Sequence, residues 1–358
     1  MTGLVHPYIL YLVAAALSAV ISMYSVRKII FITRHKKLYD TPDNIRKIHG
    51  ANIPSLGGIG IFIGYIVAAS FFINQSWFYV VASSVILFFT GVYDDIMNMR
   101  PSKKLLAQLV ASAAAVYFAD IRLATLHGLF GIGELPYWLS LGLTTFLCTF
   151  FINVFNFIDG IDGLACCMAI LYTGLLGGLF AIMGHVGMAG ISFALLGATA
   201  GLLYYNIPPA RIYMGDTGSM LLGFSVFLLS VCFIRSYNGT GHIGTIVHTD
   251  KGALLIILSI LYLPVYDALR VFILRASRGI SPLMADRTHL HYYMLDAGFS
   301  HSRSVGAMLL ATIAIIISGY LLQDTNIYVA LIAITTLTSV FMFIIYRLRQ
   351  QRITGKSI

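Results

Sequence analysis

Charge is scarce in this sequence. Only 10% of its 358 residues are Asp, Glu, Lys or Arg, against 58% hydrophobic, and the mean hydropathy is +0.86. That balance excludes a water-soluble domain, which typically carries about 25% charged residues. Glutamate is nearly missing, since Glu134 is the single one among 14 acidic residues. Four cysteines occur (Cys148, Cys166, Cys167, Cys232), all inside apolar runs. They read as small packing residues and exclude a disulfide or metal framework. No internal repeat, low-complexity segment or separate soluble domain appears.

What is present is a succession of apolar runs of about 20 residues, the length that crosses a hydrocarbon core. Spans are predicted at 4–26, 56–73, 77–93, 105–121, 137–155, 164–183, 189–206, 218–234, 252–273, 305–322 and 327–346. The expected fold is all-α: a polytopic integral membrane protein of about eleven transmembrane helices, forming one membrane-embedded domain over 1–358. The first run is read as a retained span, because no basic residue precedes it and Arg27 and Lys28 end it. Of 23 Lys and Arg, 20 fall on one set of loops or their span ends, against Arg122, Arg235 and Lys251 on the other. The positive-inside rule therefore predicts an outside N-terminus and a cytoplasmic C-terminus. Loops 27–55, 94–104, 156–163, 207–217 and 274–304 then face the cytoplasm. The outer loops are thinly charged, and the Asn238-Gly239-Thr240 sequon is read as accidental.

Ten of the aspartates also lie on the predicted cytoplasmic side, although Asp contributes little to topology. Carboxylates and cations gathered on one face suit a metal ion and a polyphosphate. The net charge of +9 points to anionic partners, lipid headgroups or phosphorylated substrates. Nucleic acid is disfavoured, because the positive charge is spread loop by loop.

Within that face, Asn153-Val154-Phe155-Asn156-Phe157-Ile158-Asp159-Gly160-Ile161-Asp162-Gly163 separates two apolar runs. A charge inside hydrocarbon costs about 2.5–3.5 kcal/mol, so the segment is expected at the water line. Its glycines allow a tight turn with backbone N–H groups near an anion, although Asn and Asp also simply cap helices. Asp94-Asp95 ends another run, and adjacent carboxylates are favoured where a cation sits beside them. Asp216, in Met214-Gly215-Asp216-Thr217-Gly218-Ser219, fits either a magnesium ligand or an N-cap.

The basic residues from Arg27 to Lys47 mostly read as anchors to anionic lipid, each worth about 1 kcal/mol. Lys47 followed by the glycine-rich start at Gly57-Gly58 is a candidate phosphate seat. Pro264 predicts a kink in its span, and Asp267 an ion pair with Arg270. The loop from Arg275 and Arg278 to Asp286-Arg287-Thr288-His289-Leu290-His291-Tyr292 is the longest polar region after the first. His289 and His291 form a His-X-His, but no Cys, Glu or third His lies near, which disfavours zinc. Hydrogen-bond donation to phosphate oxygens suits them better. His301 and Arg303 read as surface residues.

These motifs, in this order on one face, resemble the polyprenyl-phosphate N-acetylhexosamine-1-phosphate transferases, and within them the WecA/TagO-type bacterial enzymes. The resemblance runs from about Lys47 to Arg303. It implies a UDP-N-acetylhexosamine donor, most often UDP-GlcNAc, and undecaprenyl phosphate as acceptor in the bacterial inner membrane. It also implies Mg2+, with Mn2+ as substitute, an active site on the cytoplasmic face, and a homodimer as candidate assembly. By position, Asp216 and Asn156 resemble metal ligands, and Asp94 and Asp95 the catalytic pair. Asp162 falls where the family contacts the uridine, Asp159 lies in the same pocket wall, Asn153 is a further substrate-binding candidate, and Arg275, Arg278, His289 and His291 resemble the diphosphate and sugar-side loop. Lys47 and Lys104 match basic positions near the phosphates.

One departure is Tyr292, where the family usually continues His-X-His-His; tyrosine donates a hydrogen bond but carries no positive charge. The cell-wall branch that uses UDP-MurNAc-pentapeptide typically has three consecutive histidines, which ranks it lower. A secondary transporter would hold its ionisable residues near the midplane on related halves. A CDP-alcohol phosphotransferase would gather its aspartates on one helix.

Overall fold

The computed structural model describes residues 6–36, 53–279 and 287–355. Among them the chain forms twelve α-helices, two short 3-10 turns and an antiparallel bridge between Thr125 and Glu134. In chain order the helices are α1 (Pro7–Lys36), α2 (Gly57–Ala69), α3 (Gln75–Met97), α4 (Pro101–Phe118), α5 (Tyr137–Ile158) and α6 (Leu164–Ile182). Then follow α7 (Val186–Asn206), α8 (Gly215–Ser236), α9 (Asp250–Ala276), α10 (Leu290–Asp296), α11 (His301–Leu321) and α12 (Ile327–Thr354).

Every helix except α10 falls on a predicted span. Nine of the described helices are long and apolar enough to cross a membrane; α2, at 13 residues, and α4, with Lys103 and Lys104 near its start, are the other two. The protein is a multi-pass helical membrane protein. Its outward faces are apolar, as at Leu12, Phe89, Leu310 and Ile332, while many hydroxyl side chains are buried between helices. Inside a bundle these hydroxyls bond back to their own helix, Thr199 to the Leu195 carbonyl and Ser230 to that of Val226.

Helix starts follow the local chemistry. Asn74, Thr249, Ser300 and Asn326 each accept a backbone N–H from the first turn of α3, α9, α11 and α12, and Pro101 opens α4. α9 is one continuous helix that contains Pro264.

The axis of the bundle is α8. Every residue of its apolar stretch is buried, with α2, α3, α5, α6 and α9 packed around it. Without a hydrophobic driving force between helices in lipid, such packing relies on small residues that let backbones approach. At Gly58 a Cβ would sit 2.1 Å from the Gly218 nitrogen, and at Gly91 2.4 Å from Thr217 Cα. The start of α2 is also zipped to the segment before α8: Tyr213 N–H donates to the Pro54 carbonyl at 2.9 Å. Gly57 and Gly58 in turn donate to the carbonyls of Tyr213 and Met214, at 3.0 and 2.8 Å. This corrects the phosphate-seat reading of Gly57-Gly58, since those two N–H groups are already committed to backbone.

Because Gly58 meets backbone and not a yielding side chain, Gly58→Ala must push α2 off α8. We expect it to lower the thermal unfolding midpoint in detergent, with a cost of about 1–3 kcal/mol or more. Gly142→Ala, with nothing within 4 Å of the added carbon, is expected to leave the midpoint unchanged.

Candidate active site

Four helix ends meet at one end of the bundle: the C-terminal ends of α3 and α5 and the N-terminal ends of α4 and α8. Lys104, in the first turn of α4, lies with Nζ 2.6 Å from Asp216 Oδ2 and 3.1 Å from Asp94 Oδ2. Asn156, two residues before the end of α5, donates from Nδ2 to Asp216 Oδ1 and, at 2.8 Å, to Ser219 Oγ. Asp94 Oδ1 accepts the Met99 N–H at 2.5 Å, which turns the chain between α3 and α4. Asp94, Lys104, Asn156 and Asp216, far apart along the polypeptide, thus form one connected cluster.

Asp95 is placed differently from its neighbour. Its Oδ1 accepts the Asp216 N–H at 2.7 Å, and its Oδ2 accepts the N–H and the hydroxyl of Thr217 at 3.0 and 2.6 Å. Asp159 accepts the N–H of Gly215. Two carboxylates from other elements therefore cap the first turn of α8, where the helix leaves its amides unpaired and its dipole favours negative charge. Gly215 fits there with φ +74°, and a Cβ on it would lie 1.9 Å from the Ser55 carbonyl oxygen. Burial, then the neighbouring Asp216 charge, raises the Asp159 carboxyl to about 7.

Asn206 is the buried clasp that links the loop after α5 to the loop before α8. Its Oδ1 accepts the Gly163 N–H at 2.9 Å and its Nδ2 donates to the Ile212 carbonyl at 2.9 Å. Asp162 reinforces the join by accepting the Ala210 N–H at 3.2 Å. It also lies 3.4 Å from His301 Nδ1, so His301 is a site-wall residue and not the surface residue expected. Asn153 looks elsewhere: its amide donates to Gln108 Oε1 at 2.7 Å and the Thr149 carbonyl at 2.8 Å, fastening α5 to α4.

The His-X-His segment closes over this floor. Asp267 on α9 pairs with Arg270 at 2.7 Å as expected, and it also holds His289 Nδ1 at 2.9 Å and the Leu290 N–H at 3.2 Å. His289 stacks on Phe157, beside Asn156, with ring centroids 5.2 Å apart. The two imidazoles are parallel to within 1°, 5.8 Å apart. A Cβ on Gly160 would lie 2.1 Å from His291 Nε2, so glycine is what lets the segment dock. The Nε2 atoms of both histidines are buried without a hydrogen-bond partner. Burial, then the neighbouring His289, pushes His291 down to about 3, so it is a neutral imidazole. Arg275 is buried in the last turn of α9 and Arg278 is exposed just beyond it. Lys47 and Asp286 lie outside the described residues.

Asp216, Asn156 and Asp94 offer hard oxygen donors, the type that magnesium takes together with water and substrate oxygens. The amide of Asn156 already meets Asp216, and turning it over would present oxygen in place of nitrogen, an assignment that such networks leave open. Among the described residues no group of three or more His, Cys, Asp or Glu side chains is placed to hold a metal ion by itself.

The sequence model for glycosyl transferase family 4 matches residues 77–234, from α3 to α8. Over that region the chain is similar to glycosyl transferase family 4. Relatives extend the likeness along the chain. One is a probable undecaprenyl-phosphate N-acetylglucosaminyl 1-phosphate transferase of Bacillus subtilis, 29% identical over 86% of this chain and 83% of its own length. An undecaprenyl-phosphate alpha-N-acetylglucosaminyl 1-phosphate transferase of Yersinia pestis is 29% identical over 78% of this chain and 76% of its own. A decaprenyl-phosphate N-acetylglucosaminephosphotransferase of Mycobacterium tuberculosis is 28% identical over 73% and 70%. Motifs and comparisons agree on the superfamily of polyprenyl-phosphate N-acetylhexosamine-1-phosphate transferases, and the glycosyl transferase 4 region holds every residue of the acidic cluster.

The unequal placement of Asp94 and Asp95 has a measurable consequence. Asp95→Asn puts an NH2 group against donors at the start of α8, and we expect a loss of about 1–3 kcal/mol in stability. Asp94→Asn leaves Lys104 paired with Asp216 and is expected to unfold close to the wild-type midpoint, both read by thermal unfolding in detergent.

Proposed function

We propose that this glycosyl transferase moves N-acetylhexosamine-1-phosphate, with GlcNAc-1-phosphate as first candidate, from a UDP-sugar to undecaprenyl phosphate, releasing UMP. The reaction would initiate a lipid-linked cell-surface polysaccharide such as O-antigen, common antigen or teichoic acid, at the cytoplasmic face of the bacterial inner membrane. The observation that carries this reading is Lys104 held between Asp94 and Asp216 at the meeting of four helix ends.

The chemistry brings two anions together. A lipid phosphate oxygen attacks the β-phosphorus of the UDP-sugar, the new phosphorus–oxygen bond forms, and the bond to the bridging oxygen breaks as UMP leaves. The dominant task is neutralising charge on the transferring group. Lys104 contributes a positive charge at the site, and its two carboxylate partners hold the ammonium in place. Asp216 and Asn156 would hold a magnesium ion beside Asp94, and that ion, when bound, supplies further neutralisation of phosphate oxygens. Asp95 and Asp159 act indirectly by fixing the turn that carries Asp216.

The His-X-His segment suits the donor side. A buried polar atom left unpaired costs about 1–3 kcal/mol, and a substrate oxygen is a natural acceptor for the N–H of neutral His291. Tyr292 is buried against His291, and the Arg287 guanidinium lies 5.2 Å from its ring centroid. A positive charge is thus present where the family's further histidine is replaced. The phospho-MurNAc-pentapeptide reading ranks second, and a transporter third, because the acidic cluster lies at helix ends and not at midspan.

A phosphate monoester is mostly dianionic at neutral pH, so the acceptor needs no general base. Asp94 is assigned to positioning on that ground. We expect Asp94→Asn to lose activity at every pH from 6 to 9; recovery at high pH would assign proton removal to Asp94 instead.

Membranes holding the protein are expected to release UMP and form labelled lipid from UDP-GlcNAc and undecaprenyl phosphate. Chelation should abolish this, Mg2+ should restore it, and Asp216→Asn should lower it by about 100-fold or more. Turnover of UDP-MurNAc-pentapeptide alone would move the assignment to the second reading.

A further inference from the structure

α10 has seven residues, and a helix that short does not hold itself together in isolation. It carries His291 and follows directly on His289, so whatever fastens it sets where both imidazoles stand. Its N-terminal end is tied to α9 through Asp267, as described above. Its C-terminal end has a separate fastening. Asp296, the last residue, sits where the helix dipole disfavours a carboxylate. Arg349 Nε approaches it to 2.9 Å and Arg287 to 3.5 Å.

Arg349 belongs to the charged end of α12, beyond the apolar part of that helix. Its guanidinium also lies 4.2 Å from the centroid of the Tyr293 ring, and Arg270 lies 5.1 Å from the same ring. Arg270 in turn bonds Asp267 and the Thr288 carbonyl, at 2.7 and 2.6 Å. One turn further along α12, Arg352 is so close to Gly298 that a Cβ there would lie 1.6 Å from Nη1. The charged end of α12 therefore grips both the last turn of α10 and the bend that follows it.

We infer that Arg349 is a positioning residue for the transfer reaction: the charged end of α12 holds α10, and through it His289 and His291, in register with the acidic cluster. The inference rests on the reading of this site as a UDP-sugar phosphotransferase and adds to it a requirement outside the family-matched region, from the last helix of the chain. The grip is electrostatic and aromatic, on groups about one quarter exposed. Its loss should therefore loosen the segment without unfolding the bundle.

The test uses full-length protein in detergent with lipid. Arg349→Gln should speed hydrogen exchange of the amides in 289–298 while α8 amides keep their wild-type rates. It should raise the KM for the UDP-sugar roughly three- to tenfold, with kcat within about twofold and the KM for lipid phosphate unchanged. Arg349→Lys, which keeps the charge, should recover part of the KM. Arg347→Gln, whose ring contact is Phe343 on its own helix, should match wild type. Unchanged exchange in 289–298 overturns the inference. So does faster exchange with an unchanged donor KM, or a KM change shared equally by donor and acceptor. Wild-type protein that releases no UMP from any UDP-sugar fails the functional reading on which the inference rests, and the exchange rates then decide only whether Arg349 holds α10.

Discussion

Every α-helix begins with N–H groups that have no partner within it, and a helix buried along its whole length cannot leave them to water. At the start of α8 the amides of Asp216 and Thr217 are answered by Asp95, and that of Gly215 by Asp159. Both carboxylates come from the ends of other helices, α3 and α5. The same contacts therefore join three helix ends and fix the direction in which the Asp216 side chain leaves the turn. Lys104 and Asn156 can meet Asp216 only because that turn is held. Glycine supplies the room, with Gly58 and Gly91 lying against backbone of the same turn.

Placing the polar groups at helix ends also resolves the conflict between a greasy chain and ionic chemistry. Among the described residues the acidic cluster lies where helices stop. Ion pairs at the other end, Asp120 with Arg235 and Arg122, bond mostly among themselves and stay apart from the site. Burial raises the Asp120 carboxyl, but the hydrogen bonds from Arg235 and Arg122 outweigh that and hold it below the usual range.

Much of this was legible in the sequence. The apolar runs located the helices because hydrocarbon requires length and composition and little else. The acidic motifs could be placed on one face because loop charge alternates with crossing. Other features needed the third dimension. Asp94 and Asp95 look alike in the chain, yet one faces Lys104 and the other caps α8; adjacent residues on a helix point about 100° apart, and the packing of α8 decides which inherits which task. Asn153 and Asn156 share a motif, but Asn153 turns to Gln108 within the bundle. Asn206 carried a faint signal, a polar residue just before Ile207-Pro208-Pro209. It reads equally well as an ordinary helix end, and its double hydrogen bond appears only when two loops are brought together. Gly57-Gly58 misled for the same reason: a glycine-rich helix start is open to an anion only if no backbone carbonyl has reached it first.

The charge balance of the site bears on the proposed reaction. Asp94, Asp95 and Asp216 are linked by direct hydrogen bonds and ion pairs, with Asp159 capping the same turn as Asp95, and Lys104 is the one cation in direct contact with the cluster among the described residues. Two of the acids answer backbone amides, whose partial positive charge offsets them in part. Asp94 and Asp216 share the single ammonium. Adding a nucleoside diphosphate and a lipid phosphate to that surplus of negative charge is unfavourable unless further cations accompany them. The proposed divalent ion on the Asp216 and Asn156 side would answer that need locally. The arginines gathered about α10, with Arg287 beside Tyr292 and Arg349 at Asp296, add positive charge next to the His-X-His segment. In the proposed reaction a phosphate dianion and a metal ion would then enter together, each offsetting the charge of the other.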